Sequence, residues 1–289
     1  MVQTLCICGA GTMGSGIAQV SAQAGLTTIL YELNPEVLEK AKTAIHKSWQ
    51  VLVEKGKFST TEMESIGKRL HFTSALLDCK ADAIIEAVVE KMEIKIALFN
   101  QLAVINDKQS IFSSNTSSLS ISAIAGQIKN PERFIGMHFF NPAPVMKLVE
   151  IVNTKYTDKQ TTKIIIELAK QMGKVPVVCK DSPGFIVNRV ARPYYIEALR
   201  LVEEGISDFS TIDSLMEATG FKMGPFKLMD LIGNDINYSV SSSVFEQLNH
   251  PERLRPSPIQ KEKVRKGELG KKTGKGYYDY SSRVDKLKS

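Results

Sequence analysis

The stretch Thr4-Leu-Cys-Ile-Cys8-Gly9-Ala10-Gly11-Thr12-Met13-Gly14 decides how the rest of the chain is read. An apolar run of strand length ends in the spacing Gly-x-Gly-x-x-Gly. Behind it Ile17, Val20 and Ala24 recur at helical intervals up to a stop at Gly25. Strand, glycine turn and helix in that order are the setting a dinucleotide-binding turn requires. Gly9 allows the tight turn, Gly11 lets backbone approach a pyrophosphate, and Gly14 lets helix close on strand. The phosphates would meet the free N–H groups at the positive end of the helix.

Working outward, the next apolar run, Thr27–Tyr31, ends in Glu32, close to the offset of about 20 residues at which an acid binds the adenosine ribose. A carboxylate there accepts a hydrogen bond from a 2′-hydroxyl and repels a 2′-phosphate, which favours NAD over NADP. Asn34-Pro35 starts a helix expected to reach about Lys55, with Val37, Ala41, Ile45 and Leu52 as its apolar stripe. Ser59 and Glu62 form a capping box for a second helix. Ser48 and Lys55 lie two turns apart on one face of this hairpin; periodicity alone reads that face as solvated.

Strands are expected at His71–Thr73, at the nearly all-apolar Ala83–Val88 and at Ser110–Ser113. Ligands of open α/β sheets bind beyond the carboxyl ends of the strands. Glu32, Glu90, Ser117 and the loop after His138 all fall at such ends. Further on, two apolar runs, Phe134–Phe140 and Val145–Val152, flank the turn Asn141-Pro-Ala-Pro144. Each contains one polar group that is costly to bury alone, His138 and Glu150. Paired, they would make a general base backed by a carboxylate. From this stretch by itself, a satisfied core histidine and an unrelated surface glutamate is the preferred reading.

A helix at Lys159–Met172 and a strand at Val175–Cys179 close the alternating part. After Asp181-Ser-Pro-Gly184 the pattern is only helical: Phe185–Glu204 with Pro193 inside it, a cap suggested by Ser210 and Asp213, and stops at Gly220 and Gly233. The expected architecture is α/β: a Rossmann-type, mostly parallel sheet with an inserted helical hairpin at 1–183, then an all-helical domain at 184–289.

The bulk numbers set limits. A chain of 289 residues that is 43% hydrophobic and 24% charged is an ordinary globular composition, long enough for two domains. No apolar run reaches the roughly 18–20 residues of a membrane span, and no signal peptide precedes the first strand. The net charge of +6 is spread out and not interleaved with aromatics, so nucleic acid is not an expected partner. Cys6, Cys8, Cys79 and Cys179 lack zinc-type spacing; Cys6 and Cys8 share a face of a buried strand and read as small hydrophobes. No metal is expected, and a reducing, cytoplasmic location is.

Taken together, Gly9–Gly14 with Gly16-Ile-Ala-Gln-Val20, Ser114-Asn-Thr-Ser-Ser118, Met137-His-Phe-Phe-Asn-Pro142 through Leu148-Val-Glu-Ile151, Asp181-Ser-Pro-Gly-Phe-Ile-Val-Asn-Arg189, Met223-Gly-Pro-Phe226 and Gly270-Lys-Lys-Thr-Gly274 resemble the L-3-hydroxyacyl-CoA dehydrogenase family, including the bacterial 3-hydroxybutyryl-CoA type. The resemblance covers about Val2 to Tyr280. It implies His138 as catalytic base, Glu150 as its partner, and Ser117 and Asn188 as polar groups around the reacting oxygen and thioester. It implies NAD contacts from the turn Gly9, Ala10, Gly11, Thr12, Met13 and Gly14, and from Glu32, Glu90, Lys95, Ser117, Asn141 and Lys272. It gives Ser48, Lys55 and Ser117 to the acyl-CoA substrate, and a homodimer to the second domain. Glu32 stands where many relatives carry aspartate, a longer arm for the same contact. The expected reaction is reversible NAD-dependent oxidation of a short-chain (3S)-3-hydroxyacyl-CoA, in fatty-acid or butyrate metabolism. The alternatives are another NAD-dependent hydroxyacid dehydrogenase of this plan, such as an L-gulonate 3-dehydrogenase-like protein, and a non-enzymatic NAD-binding sensor.

Overall fold

A computed structural model describes residues Val2–Ser281. The chain divides between Ser182 and Pro183 into two compact units. In the first, β1 (Thr4–Cys8), α1 (Thr12–Gln23), β2 (Thr27–Tyr31), α2 (Pro35–Glu54), α3 (Thr60–Gly67), β3 (Leu70–Thr73) and β4 (Ala83–Glu86) are followed by α4 (Met92–Ile105), β5 (Ile111–Ser114) and α5 (Ile121–Ala125). Then come β6 (Phe134–Phe139), β7 (Leu148–Asn153), α6 (Lys159–Gln171) and β8 (Val175–Lys180). The eight strands form one sheet in the order β3-β2-β1-β4-β5-β6-β7-β8. All described neighbours run parallel except β6 and β7. The chain leaves β1 toward β2 and β3 on one side and returns to β4 on the other. The space above β1 and β4 is therefore the switch point at which an open α/β sheet takes its ligand.

Local chemistry places these elements. Leu5, Cys6, Ile7 and Cys8 of β1 and Ala83, Ile84 and Ile85 of β4 are wholly buried, as strands covered on both faces must be. Asn34 caps α2 by accepting from the Glu36 N–H, and Ser59 and Glu62 form a reciprocal capping box on α3. The buried stripe of α2 is Leu38, Ala41, Ile45 and Trp49; Trp49 occupies the place expected of Leu52. Strand β4 stops at Glu86, before the expected Val88, because the Glu86 carboxylate turns back to accept from the Val88 N–H at 2.8 Å. Val145, at the head of the second apolar run, is 72% exposed and belongs to the turn instead of β7.

The second unit contains α7 (Val187–Glu203), α8 (Phe209–Ala218), α9 (Pro225–Ile232), α10 (Asn234–Gln247) and α11 (Pro258–Arg265). Helix α7 starts later than the expected Phe185, because Gly184 and Phe185 both take positive φ, 74° and 47°. The cap expected of Ser210 and Asp213 falls to Asp208, which accepts from the Thr211 N–H. Asp213 has a different task. It is wholly buried, accepts from the Phe226 and Lys227 N–H groups at 2.9 Å each, and takes a 2.7 Å bond from the Tyr278 hydroxyl. A side chain of α8 thus caps α9 and holds the following C-terminal segment. Asp230 does the same with the Tyr277 and Tyr278 N–H groups, both at 3.0 Å.

Replacing Asp213 by alanine leaves the buried Phe226 N–H and the half-buried Lys227 N–H without their acceptor. It also removes one of the two acceptors of the Tyr278 hydroxyl, the other being the Phe209 carbonyl. The expected cost is about 2–4 kcal/mol, read as a lower urea midpoint at unchanged slope. An unaltered midpoint would show that solvent replaces the carboxylate at no cost. Among the described residues no helix is long and apolar enough to cross a membrane.

Candidate active site

The turn after β1 has the form a pyrophosphate needs. Gly9 has φ 104°, and a Cβ there would lie 2.6 Å from the Ala87 carbonyl oxygen; a Cβ on Gly14 would lie 1.7 Å from the Gly9 carbonyl oxygen. Both positions are closed to any side chain by backbone. At Gly11 the reverse holds: a Cβ would meet nothing within 4 Å, so it would project into open space at the N-terminus of α1. That N-terminus has no side-chain cap, which leaves its N–H groups to a ligand. A cleft of about 400 Å³ opens here, lined among others by Ala10, Gly11, Thr12, Ser15 and Asn141. At the end of β2, Glu32 accepts from the Ala10 N–H at 3.0 Å and the Asn34 N–H at 3.1 Å. Its carboxylate is held against the glycine turn, where a ribose hydroxyl would arrive. These residues fit a dinucleotide.

Beside the turn lies a group that sequence reading only half found. Lys95 is 1% exposed, and its Nζ lies 2.5 Å from Glu86 Oε1 and 3.1 Å from Glu90 Oε2. Glu86 also accepts from the Ser114 hydroxyl at 2.7 Å. Burial pushes the Glu86 carboxyl above its ordinary range, and the pull of Lys95 and the Ser114 and Val88 bonds offsets this only in part. Glu90 is the opposite case. Partial burial works against its charge, but Lys95 and the Thr116 and Ser118 hydroxyls outweigh it and hold the carboxyl low. Glu90 also accepts from the Ser117 N–H at 3.3 Å, which ties the Ser114–Ser118 loop to the end of β4. Glu86 was missed because its strand reads as uniformly apolar. A lone acid in such a run is the signal, as it was for Glu150.

The hairpin β6–β7 supplies the titratable pair. His138 and Glu150 are direct partners in the antiparallel register, and Nδ1 of the imidazole lies 2.8 Å from Glu150 Oε2. Both are buried, at 6% and 1% exposure. A carboxylate can only accept, so Nδ1 carries the proton and Nε2 is the basic nitrogen. The Phe140 ring packs 4.6 Å from the imidazole, and Asn115 accepts from the Phe139 N–H at 2.8 Å. The turn between the strands is clamped from beneath. Lys174, buried and with its pKa lowered by desolvation, donates to the carbonyls of Ala143 at 2.5 Å and Met146 at 2.9 Å. Nothing in the local sequence marks Lys174, which is distant in the chain from the turn it holds.

Of the remaining residues, Ser48 accepts from Gln19 at 3.0 Å and lines a cleft of about 740 Å³ with Lys47, Lys57, Phe58 and Pro144. Lys55 is the residue just after α2 and does not line that cleft; Lys57, beyond the turn at Gly56, does. In the second unit, the Asn188 carbonyl accepts from Arg192, and Lys272 pairs with Asp235 at 2.6 Å.

Two sequence profiles match the chain: 3-hydroxyacyl-CoA dehydrogenase, NAD binding domain, over residues 4–182, and 3-hydroxyacyl-CoA dehydrogenase, C-terminal domain, over residues 184–280. The chain belongs to the 3-hydroxyacyl-CoA dehydrogenase family. It is 41% identical to a probable 3-hydroxybutyryl-CoA dehydrogenase of Deinococcus radiodurans, over 95% of this chain and 99% of that one. It is 48% identical to a 3-hydroxyadipyl-CoA dehydrogenase of Escherichia coli over 96% of this chain, but spans only 59% of that longer protein. The crystal structure of a (S)-3-hydroxybutyryl-CoA dehydrogenase from Ralstonia eutropha superposes with a TM-score of 0.93 at 36% identity, covering 97% of this chain and 99% of that one. The members of this 3-hydroxyacyl-CoA dehydrogenase family are NAD-dependent oxidoreductases, so the glycine turn and its cleft lie in an NAD-binding domain and NAD is the cofactor.

Proposed function

We propose that the protein interconverts (3S)-3-hydroxyacyl-CoA and 3-ketoacyl-CoA, with short-chain substrates of the 3-hydroxybutyryl-CoA and acetoacetyl-CoA kind. The observation that carries the reading is the buried His138–Glu150 pair at 2.8 Å, in the same unit as the glycine turn. Bound NAD⁺ supplies a hydride acceptor. His138 Nε2 takes the proton of the 3-hydroxyl as C3 gives up its hydride, and Glu150 fixes the tautomer and stabilises the imidazolium that forms. In the other direction the imidazolium protonates the oxygen at C3. Ser117 hydrogen-bonds that oxygen. Gly9–Gly14, Glu32, Glu90 and Asn141 position the dinucleotide, with Lys95 acting through Glu90. Ser48 and Lys55 are assigned to coenzyme A, and Asn188 and Lys272 to substrate and cofactor, on the motif match.

The test is NADH oxidation with acetoacetyl-CoA, longer 3-ketoacyl-CoAs, 3-ketoadipyl-CoA and free keto acids. The adipyl substrate is included because of the name of the Escherichia coli relative. Turnover should require the CoA thioester and favour the short chains. Faster turnover of free keto acids would replace this reading with a hydroxyacid dehydrogenase.

Glu32→Gln keeps the shape of the side chain but removes its charge. NADH affinity should fall by about 1.5–3 kcal/mol, the worth of hydrogen bonds to a charged group, and the preference over NADPH should narrow. Fluorescence titration with both nucleotides checks this; an unchanged ratio would remove Glu32 from the ribose.

We also assign homodimerisation to the second unit. Its helices expose Val190 at 72%, Leu231 at 52% and Ile236 at 50%, apolar surface that a partner copy would cover. Light scattering should give twice the chain mass. The four free cysteines suit the reducing conditions of a cytoplasmic enzyme.

A further inference from the structure

The three cysteines under the nucleotide-binding edge of the sheet form a group of their own. Cys6 and Cys8 are two apart on β1, so their side chains leave the same face. Their sulfurs lie 3.9 Å apart. The loop between β3 and β4 brings Cys79 to them, and the three sulfur atoms all lie within 4.8 Å of one another. All three residues are 0% exposed. No disulfide joins any of them.

A metal bound about 2.3 Å from each thiolate spaces its sulfurs about 3.8–4.0 Å apart, whether trigonal or tetrahedral. The Cys6–Cys8 separation already has that value, and the Cys79 sulfur, within 4.8 Å of both, lies close to the third corner of the triangle. No fourth His, Cys, Asp or Glu among the described residues joins the group. The burial of all three side chains also keeps water from the vacant position. Zn²⁺ in a closed structural site wants four ligands, whereas a soft monovalent d¹⁰ ion is satisfied by three sulfurs.

We propose that Cys6, Cys8 and Cys79 form a three-sulfur binding site for a thiophilic monovalent ion, Cu(I), at the base of the NAD-binding turn. Binding displaces the thiol protons to solvent and changes no oxidation state. Asp78 and Lys80, on either side of Cys79, are exposed, so the ion enters through this loop. Cys8 directly precedes Gly9, whose N–H donates to the Tyr31 carbonyl at 2.8 Å. An ion at this site therefore couples to the backbone that cradles the pyrophosphate.

The experiment is anaerobic titration of the full chain with Cu(I) against a chromogenic Cu(I) chelator, with X-ray absorption on the loaded protein. The expected result is one equivalent withheld from the chelator, with a shell of three sulfurs. Cys79→Ala should abolish the uptake while still binding NADH, and Cys179→Ala should retain it. Absence of stoichiometric uptake, uptake unchanged in Cys79→Ala, or a shell containing nitrogen or oxygen would overturn the site. So would tighter retention of Zn²⁺ than of Cu(I) in direct competition. Should Cys79→Ala fail to fold, the sulfur count of the unaltered protein decides alone.

Discussion

His138→Gln is expected to lower kcat for acetoacetyl-CoA reduction by about 10²–10⁴, a barrier increase of about 3–5 kcal/mol, while NADH binds as before. Glutamine approximates the imidazole in size and can still donate toward Glu150, so the hairpin should hold its shape. What it lacks is a basic atom that can carry a proton at neutral pH. The loss should appear in kcat more than in KM, because proton transfer belongs to the transition state and not to binding. Glu150→Gln should lose less, since the base survives with a worse tautomer balance and no charge behind it. Stopped-flow single turnovers with each variant separate the two. Near-normal turnover in His138→Gln would end its assignment as the base, and a deeper loss in Glu150→Gln would invert the proposed roles.

Lys95→Met is expected to destabilise the protein by about 3–5 kcal/mol, the usual penalty for leaving one partner of a buried ion pair unmatched. The ammonium lies 2.5 Å from a Glu86 carboxylate that is 0% exposed. Its removal strands a charge that burial already disfavours. The sign with pH follows from the raised folded-state pKa of Glu86. The native state then holds a proton that the unfolded chain has released. Stability therefore falls as pH climbs from the unfolded carboxylate range through the folded value. The deficit should be smallest near pH 4 and largest above neutrality, with denaturant midpoints at several pH values as the measurement. Adding Glu86→Gln should recover part of it. A pH-independent deficit would mean that Lys95 contributes packing and not charge.

These cases show what the sequence could and could not disclose. Strand β1, the glycine turn and the two helix caps of the hairpin were legible, because their causes lie within a few residues of one another. The pairing of His138 with Glu150 was legible only as a cost, a polar group in each of two apolar runs. That the two side chains meet depends on strand register. Lys95 could be named from the resemblance, but not the Glu86 that neutralises it. Lys174 and Asp213 escaped for a common reason: each serves backbone groups far along the chain, and a backbone carbonyl or N–H leaves no trace in a sequence. Ser210 and Asp213 looked like a local cap because that pattern is usually local. Here the acid was needed one helix further on.

The antiparallel β6–β7 pairing has a consequence for how this enzyme tolerates change. The proposed base and its carboxylate, His138 and Glu150, lie only 12 residues apart, opposite one another on a single hairpin. Residues 140–147 lie between the strands, and Met146 and Lys147, exposed and outside the cleft at the glycine turn, should accept many replacements. Length is another matter. Deleting or inserting one residue there would shift the ladder by one and send either the imidazole or the carboxylate to the far face of the sheet. The hairpin should therefore vary in composition among working variants while its residue count stays fixed, and a library of turn-length variants would lose activity without any active-site side chain having been altered.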